Sequence, residues 1–580
     1  VLPLPLPRPL DSVLERVLGF REAERVHQTL RAVNDERTLP ERLIEHLEIA
    51  CRISERDLEN IPRRGPAVMV VNHPSGILDG AVLACILRRL RADVRFLANR
   101  ILAVFPEVDD LLIAVDLSER PAAAHANAGG LRQALDFLSS GGLLVVFPAG
   151  AVAHFHWKQR STTDPEWNPA VARIMSIAGR RVKGVTVVPA YIHSANSLAF
   201  HALGLLHPRL RTALLVRELF NKRKSSVEVR AGKPIPAEKL NGIPTDRERI
   251  EYLRWRSYLL ACRNRFKPRT ALPMLNRRRP ASLEQVCAPL EQERLLRDIH
   301  ALPASSRVLA SGEFDVYLTA VREIPAVIEE IGRLREVTFR AVGEGTGKSI
   351  DLDRFDAHYL HLFVWNRERQ EIVGAYRLAA TDSTGELYTS TLFEYGSEFL
   401  DRLGPALELG RSFVRAEYQR AAAPLLLLWK GIGAFVARNP RYKVVFGPVS
   451  ISNRYQTVSR NLIVSFLRQR AWLGELAGLV SSRNPFRGAT WKGNGAGLEI
   501  DDLNAVVSDI ETDQPGVPVL LRQYLKLGGK LLGFNVDPDF SDALDGLILV
   551  DLTKTEPKLV ERYLGKAESA AFLAYHRREK

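Results

Sequence analysis

Apolar and polar positions change period several times along this chain. From residue 10 to 55, apolar residues recur at helical spacing with charges between them, which predicts two helices. From 66 to 235, short β-rich runs alternate with helical stretches. AVMVV, VRFLA, GLLVVFP, VTVVPAYI and VEVRAG are the predicted strands. Strands alternating with helices imply a largely parallel sheet with covered faces. The pattern stops near 265, where residues 263–280 hold seven basic residues, three prolines and no acid. That composition reads as a linker, either a solvated tether or a strip drawn to anionic lipid. A second αβ unit follows from about 312. There HLFVWNRERQEIVGAYRLAAT reads as two strands around a polar turn, LLLLWKGIGAFVARN as a helix, and KVVFGPVS as a strand. The chain therefore divides into domains 1–265 and 286–580 around a basic linker, 266–285.

Composition narrows the function. A chain of 580 residues is too long for one ordinary core, and 46% apolar with 26% charged residues suits folded protein. The formal charge of +14 favours acidic partners, namely nucleic acid, an anionic membrane face or an acidic carrier protein. A nucleic-acid binder would interleave aromatic and basic residues, and the linker offers only Phe266, so nucleic acid is not expected. Cys51, Cys85, Cys262 and Cys287 form no CxxC pair, which argues against a metal site or disulfide framework and for a reducing compartment. VLPLPLPRPL at the start is too short and proline-broken for a signal segment, and no apolar run is long enough to span a bilayer. The expectation is a cytoplasmic protein, peripheral on the inner face of the cytoplasmic membrane.

The most informative segment is VVNHPSGILDG, residues 70–80. A buried strand delivers Asn72 and His73 to a turn permitted by Pro74 and Gly76, and Asp79 opens the next helix. A histidine beside a carboxylate can take a proton from an acceptor hydroxyl, while the carboxylate fixes its tautomer. Asp79 can equally serve as a helix N-cap, and the two roles are compatible. A second strand ends in Phe147-Pro148-Ala149-Gly150, where open αβ sheets place ligands, and a third places Pro189 at a corresponding position.

His-turn-Asp, then FPxG, then VPxY resembles the glycerolipid and lysophospholipid acyltransferase superfamily over roughly residues 40–240. NHPSGILDG, FPAG, DPEWNPAV and HSANSLAFHALGLLHPRLRTALLVRELFNKR resemble its hemolysin-like branch. The resemblance implies His73 as general base, Asp79 as its partner, and the FPAG turn, with Phe147, Pro148 and Gly150, in the acceptor site. Three features depart from it. Five residues separate His73 from Asp79, one more than is usual in the superfamily. Ala149 stands where a glutamate is usual, and Val152 where an arginine commonly holds the acceptor's phosphate. Losing both charges points to an acceptor that is not a glycerol phosphate.

RLREVTFRAV, DLDRFD, IVGAYRL and ALELGRSFV, in that order, resemble the acyl-homoserine-lactone synthases and the ornithine N-acyltransferases, which share the Gcn5-related N-acyltransferase fold. The resemblance implies two splayed strands, LELGRSFV and KVVFGPVS, with a phosphopantetheine arm between them. It makes Glu408 a candidate proton acceptor and Asp353 and Asp356 candidates for holding a cationic amino acid. Arg411 and Arg377 are candidate anion ligands. Each acid can instead belong to a structural ion pair, and Asp537 and Asp539 can contact a head group or cap turns around Pro538. Both halves in this order resemble the bifunctional ornithine lipid synthases. That implies N-acylation of ornithine with a 3-hydroxyacyl group and then O-acylation of the lyso-lipid. The implied donor is acyl carrier protein, with coenzyme A thioesters a possible substitute, and no cofactor is permanently bound. Acyl carrier protein, an anionic membrane surface, an amino acid and a lyso-lipid are the implied partners. The same chemistry on glycine, lysine, glutamine or a siderophore precursor is the main alternative, and a non-catalytic membrane-binding protein the lesser one.

Overall fold

The computed structural model describes residues 18–99, 106–115, 121–157, 160–206, 208–263, 283–488, 499–514 and 516–578. The opening VLPLPLPRPL and nearly all of the basic linker lie outside the described residues. The chain divides into two compact units, Val1–Arg265 with Gly493–Thr512, and Phe266–Lys492 with Asp513–Lys580.

The first unit is built on strands β1 (Ala50–Ile53), β2 (Ala67–Val71), β3 (Val94–Asn99), β4 (Leu112–Val115), β5 (Leu143–Val146), β8 (Thr186–His193), β9 (Ser226–Ala231) and β10 (Ile235–Pro236). Strands β6 (His154–His156) and β7 (Ser161–Thr163) form a separate hairpin. The sheet order is β1-β9-β8-β2-β5-β3-β4, and β8, β2, β5, β3 and β4 run parallel. All five predicted strands are present. Val68, Val70, Leu144, Val146, Val185 and Val187 join the core on one face, and Met69, Val71, Val145, Val188 and Ala190 join the core on the other. Burial on both faces explains why these strands read as continuous apolar runs. The chain leaves β2 through the helix Ile77–Arg88 towards β3, and returns from β5 through the helix Pro169–Arg181 to β8, on the opposite side of β2. The carboxyl ends of β2 and β5 thus flank a topological switch point, which is where an open αβ sheet leaves a crevice.

The second unit carries β11 (Arg307–Ser311), β12 (Phe314–Ala320), β13 (Leu360–Asn366), β14 (Glu371–Ala380), β16 (Ala406–Val414), β17 (Val444–Ile451), β19 (Lys530–Asp537) and β20 (Ala543–Asp551) in the order β11-β12-β13-β14-β16-β17-β20-β19. Strands β15 (Phe393–Tyr395) and β18 (Val480–Ser482) pair with each other apart from it. Every neighbour pair is antiparallel except β16 and β17, which run parallel and pair only from Ala406 to Glu408. Beyond Glu408 they separate. Gly447 marks the crossing, because a Cβ there would lie 2.0 Å from the Leu409 carbonyl oxygen. On β16 the register against β14 slips, and Arg411 takes a left-handed φ of 49°, as in a bulge. The separation falls between the two strands expected to splay.

The boundary at 286–580 needs one change. The helix Ile500–Ile510 groups with the first unit, not with its sequence neighbours. Asp509 accounts for this. Its carboxylate pairs with buried Arg256 at 2.8 Å and accepts the Lys233 amide at 2.9 Å. Its carbonyl accepts from Arg263, whose guanidinium also holds buried Asp57. No local pattern in the sequence encodes a partner more than two hundred residues away.

Candidate active sites

In the first unit, His73 leaves the end of β2 and meets Asp79 one turn later. Its Nδ1 lies 2.9 Å from Asp79 Oδ2. That oxygen also accepts the Ser75 and Gly76 amides, at 2.7 and 3.0 Å. Gly76 is the helix N-cap, and Asp79 sits in the first turn rather than at the cap. The carboxylate is therefore fully buried yet held by amides at the positive end of a helix and by the imidazole. Gly76 has φ 75° and ψ −128°, a conformation that suits a residue without Cβ, and this turn absorbs the additional residue between the pair.

Surrounding residues fix the imidazole. Phe147, at the end of β5, stacks on it with ring centroids 4.3 Å apart. The His73 amide donates to Asp164, at 3.1 Å to Oδ1, and Trp167 Nε1 donates to Asp164 Oδ2 at 3.0 Å. Burial pushes the Asp164 carboxyl up. The His73 carbonyl accepts the Ala153 amide at 2.8 Å. With Nδ1 on Asp79, Nε2 is the nitrogen left to face an acceptor. Asn72 clips the strand end to β8, accepting from and donating to the Ile192 backbone at 2.6 and 3.0 Å. Pro148 accepts the Asn168 amide, and Gly150, with φ 62°, closes a turn onto the Phe147 carbonyl. A cavity of about 460 Å³ opens beside the dyad, walled by Asn72 and Pro74 on either side of His73, and by Tyr191, His193, Asn196 and Lys222 among others.

In the second unit, a charged network lies beside the point where β16 and β17 part. Arg377 is buried and grips Asp353 through both nitrogens, at 2.7 and 2.9 Å. Asp356 accepts from Arg335 at 2.8 Å and lies 3.2 Å from Arg377. Burial pushes its carboxyl up, but the two guanidiniums outweigh that and hold it below the usual carboxylate range. Glu408 is buried and accepts the Tyr388 and Thr389 amides, at 3.1 and 2.7 Å, and the Tyr359 hydroxyl. Arg411 is less engaged. Asp351 and Asp353 lie 3.7 and 3.9 Å away, and its buried Nε has no hydrogen-bond partner among the described residues. Tyr388 and Phe540 cover its guanidinium, 5.2 and 4.6 Å from the ring centroids. Facing the same region is Glu344, which accepts the Ser450 hydroxyl from β17 at 2.8 Å. Burial pushes Glu344 up to about 7, and burial raises Asp537 and Asp545 as well.

Two family models match these regions, one described as Acyltransferase over residues 52–193 and one as Acetyltransferase (GNAT) domain over residues 334–430. A Glycine N(alpha)-acyltransferase of Phocaeicola vulgatus is 30% identical over 292 residues, which is 46% of this chain and 89% of that protein. A protein of the same name from Bacteroides thetaiotaomicron is 31% identical over 304 residues, covering 47% and 84%. This chain belongs to their acyltransferase family. A Lyso-glycine lipid O-acyltransferase of Bacteroides thetaiotaomicron is 26% identical over 219 residues, covering 35% of this chain and 73% of that protein. The protein is an acyltransferase with two acyltransferase domains of different kinds.

Within this acyltransferase, the structure brings His73, Asp79, Asn72, Phe147, Pro148 and Gly150 together. Pro189 stands apart. It lies within β8, opposite Val70, and the strand runs on to His193, so Tyr191 and His193 reach the cavity instead. Val152, where the superfamily's arginine would stand, packs with Leu18, Phe200 and Leu214. In the second domain, Asp353 and Asp356 are occupied by arginines, and Glu408 organises the loop that carries Tyr388. Asp537 accepts the Asp539 amide at 3.0 Å, the turn form of the two alternatives. Sequence reasoning did not single out Glu344, Asp164 or Lys222. The run VGEGTG around Glu344 looks like a polar turn, and only its tertiary burial distinguishes that acid.

Proposed function

We propose that this acyltransferase makes a two-chain aminolipid. Its second unit N-acylates an amino acid with a 3-hydroxyacyl group, and its first unit esterifies the new hydroxyl. The observation that carries this reading is the joining, in one chain, of a His–Asp dyad at a sheet switch point to a unit with splayed parallel strands. Relatives of the two kinds are named Glycine N(alpha)-acyltransferase and Lyso-glycine lipid O-acyltransferase, and they are separate proteins.

In the N-acylation, the amine attacks the thioester carbonyl, a C–N bond forms, and the C–S bond breaks to release the thiol. Glu344, poised near neutrality by burial, takes the proton that the attacking ammonium must lose. Arg411 pairs with the amino acid's carboxylate. In the O-acylation, His73 Nε2 accepts the hydroxyl proton as oxygen attacks a second thioester and returns it to the departing thiolate. Asp79 stabilises the imidazolium between those events. The apolar site at Val152 suits an acceptor without phosphate.

Ornithine is the favoured head group. Its δ-ammonium would give a counter-charge to the enclosed carboxylates of Glu344, Asp537 and Asp545. Glycine is the second reading, favoured by the names of the relatives. Acyl carrier protein is the proposed donor, supported by the net charge of +14. A membrane seat is supported by the helix Leu198–Leu206, where Leu198 and Leu203 are exposed, and by Trp157, 75% exposed on the hairpin. Among the described residues, no helix is long and apolar enough to cross a membrane.

The test supplies purified full chain with 3-hydroxyacyl carrier protein, a second acyl thioester, and ornithine or glycine. A mono-acylated and then a diacylated product with ornithine is expected. Product with glycine alone would move the head group to the second reading, and no product with any amino acid would remove the proposal.

A further inference from the structure

The cavity beside the dyad holds polar groups that the proton transfer does not use. Lys222 is half-buried in its wall, and burial pulls its ammonium below the usual lysine range. Its ammonium donates to the Ala195 carbonyl. Of the two nearby carboxylates, Asp79 is held by His73 and the Ser75 and Gly76 amides, and Glu218 is taken by the Ser197 amide and hydroxyl, at 2.8 and 2.6 Å, and by Asn221. Three more groups on the same wall are buried without a hydrogen-bond partner among the described residues. They are His193 Nδ1, Ser225 Oγ and Asn196 Oδ1. Buried polar atoms rarely stay unpaired, because each costs its full desolvation. Three on one wall, next to a cation not neutralised by a dedicated carboxylate, describe a site shaped for a missing ligand.

Their chemistry specifies that ligand. Lys222 and the Ser225 hydroxyl donate, His193 Nδ1 donates in one tautomer, and Asn196 Oδ1 only accepts. Donors that suit an anion, beside an acceptor that suits an N–H, match a carboxylate next to a secondary amide. An N-acylated α-amino acid carries both on one carbon. A glycerol phosphate offers no amide, and the position that would carry its arginine is the packed Val152.

We propose that this cavity is the head-group site of the O-acylation, with Lys222 holding the lyso-lipid's α-carboxylate and Asn196 accepting its amide N–H. The proposal rests on the aminolipid reading and adds to it the residues that select the acceptor. It also replaces the superfamily's phosphate-binding arginine with a lysine from a different part of the fold.

The test uses the full chain and two acceptors below their micellar concentration, an N-(3-hydroxyacyl) amino acid and its neutral α-carboxamide. Binding is measured by calorimetry, and turnover with an acyl thioester donor. The wild type should favour the acid. Lys222→Gln should lower kcat/KM for the acid about 10- to 100-fold, mainly through KM, and change the carboxamide little. Lys222→Arg should keep much of the preference, and Asn196→Leu should weaken both acceptors, because it removes the oxygen that accepts the amide N–H present in each. Unchanged N-acylation by the same preparations shows that the chain is folded. For Lys222→Gln, equal losses with acid and carboxamide, or no loss, would overturn the head-group assignment while leaving the aminolipid reading intact. Selective binding of the acid without turnover would uphold the site and overturn the reading.

Discussion

At the scale of single residues, hydrogen bonding separates two buried acids, one that holds the frame and one proposed to do chemistry. Glu408 and Glu344 illustrate this. Glu408 has its charge satisfied by two amides and a hydroxyl, whereas Glu344 has one hydroxyl and a costly environment. With its proton retained up to about pH 7, Glu344 is an acid below that pH and a base above it. N-acylation should therefore fall as pH drops through about 7, and Glu344→Gln should lower the rate about 100-fold or more and abolish that limb. The same raised carboxyl makes folding less favourable as pH rises between the unfolded value near 4.5 and about 7, since only the folded state keeps the proton there. Glu344→Gln should reduce that slope in urea titrations, leaving the share of the other raised carboxyls, Asp164, Asp537 and Asp545, and an unchanged slope would show that Glu344 is not raised. The His73–Asp79 dyad was legible because its residues lie within one turn of sequence. Glu344 was not, because its burial depends on Ser450 and β20, far along the chain.

At the scale of elements, the strands were readable where both faces are buried, and the turns where glycine or proline is required. Pro189 misled because a proline inside a strand resembles a strand end. Its absent N–H is tolerated on β8, and its carbonyl is used by Gly232 at 2.8 Å. The separation of β16 and β17 depends on Gly447. Gly447→Ala would place a methyl against the Leu409 backbone, which cannot turn aside as a side chain can. The expected cost is about 1–3 kcal/mol, with N-acylation lost and O-acylation retained. Thermal melts and paired assays would show it, and an unaffected N-acylation would mean that the crossing is looser than described. The helix Leu198–Leu206 presents apolar side chains to solvent without charge. Leu198→Glu with Leu203→Glu should reduce cosedimentation with phosphatidylglycerol vesicles about tenfold without lowering the melting temperature.

At the scale of the whole molecule, the first unit is discontinuous in sequence. It takes the helix Ile500–Ile510 from between β17 and β19 of the second unit in chain order. A fragment of residues 1–265 would keep Arg256 and Arg263 but lose Asp509. Leaving a buried charge without its partner typically costs about 3–5 kcal/mol. The fragment should melt well below the full chain, and a peptide spanning residues 499–512 should restore part of the loss. A fragment as stable alone as with the peptide would show that the helix contributes little.

The central claim, two acylations by two separate sites of one chain, is tested most directly by lipid mass spectrometry. A bacterium lacking amino-acid lipids would express the wild type or His73→Ala. The wild type should give a diacylated aminolipid whose head-group fragment names the amino acid. His73→Ala should give the mono-acylated lyso-lipid with the same head group, its O-acylation reduced about 100-fold or more. Diacylated lipid from the His73 variant at wild-type abundance, or no new lipid from the wild type, would contradict the account.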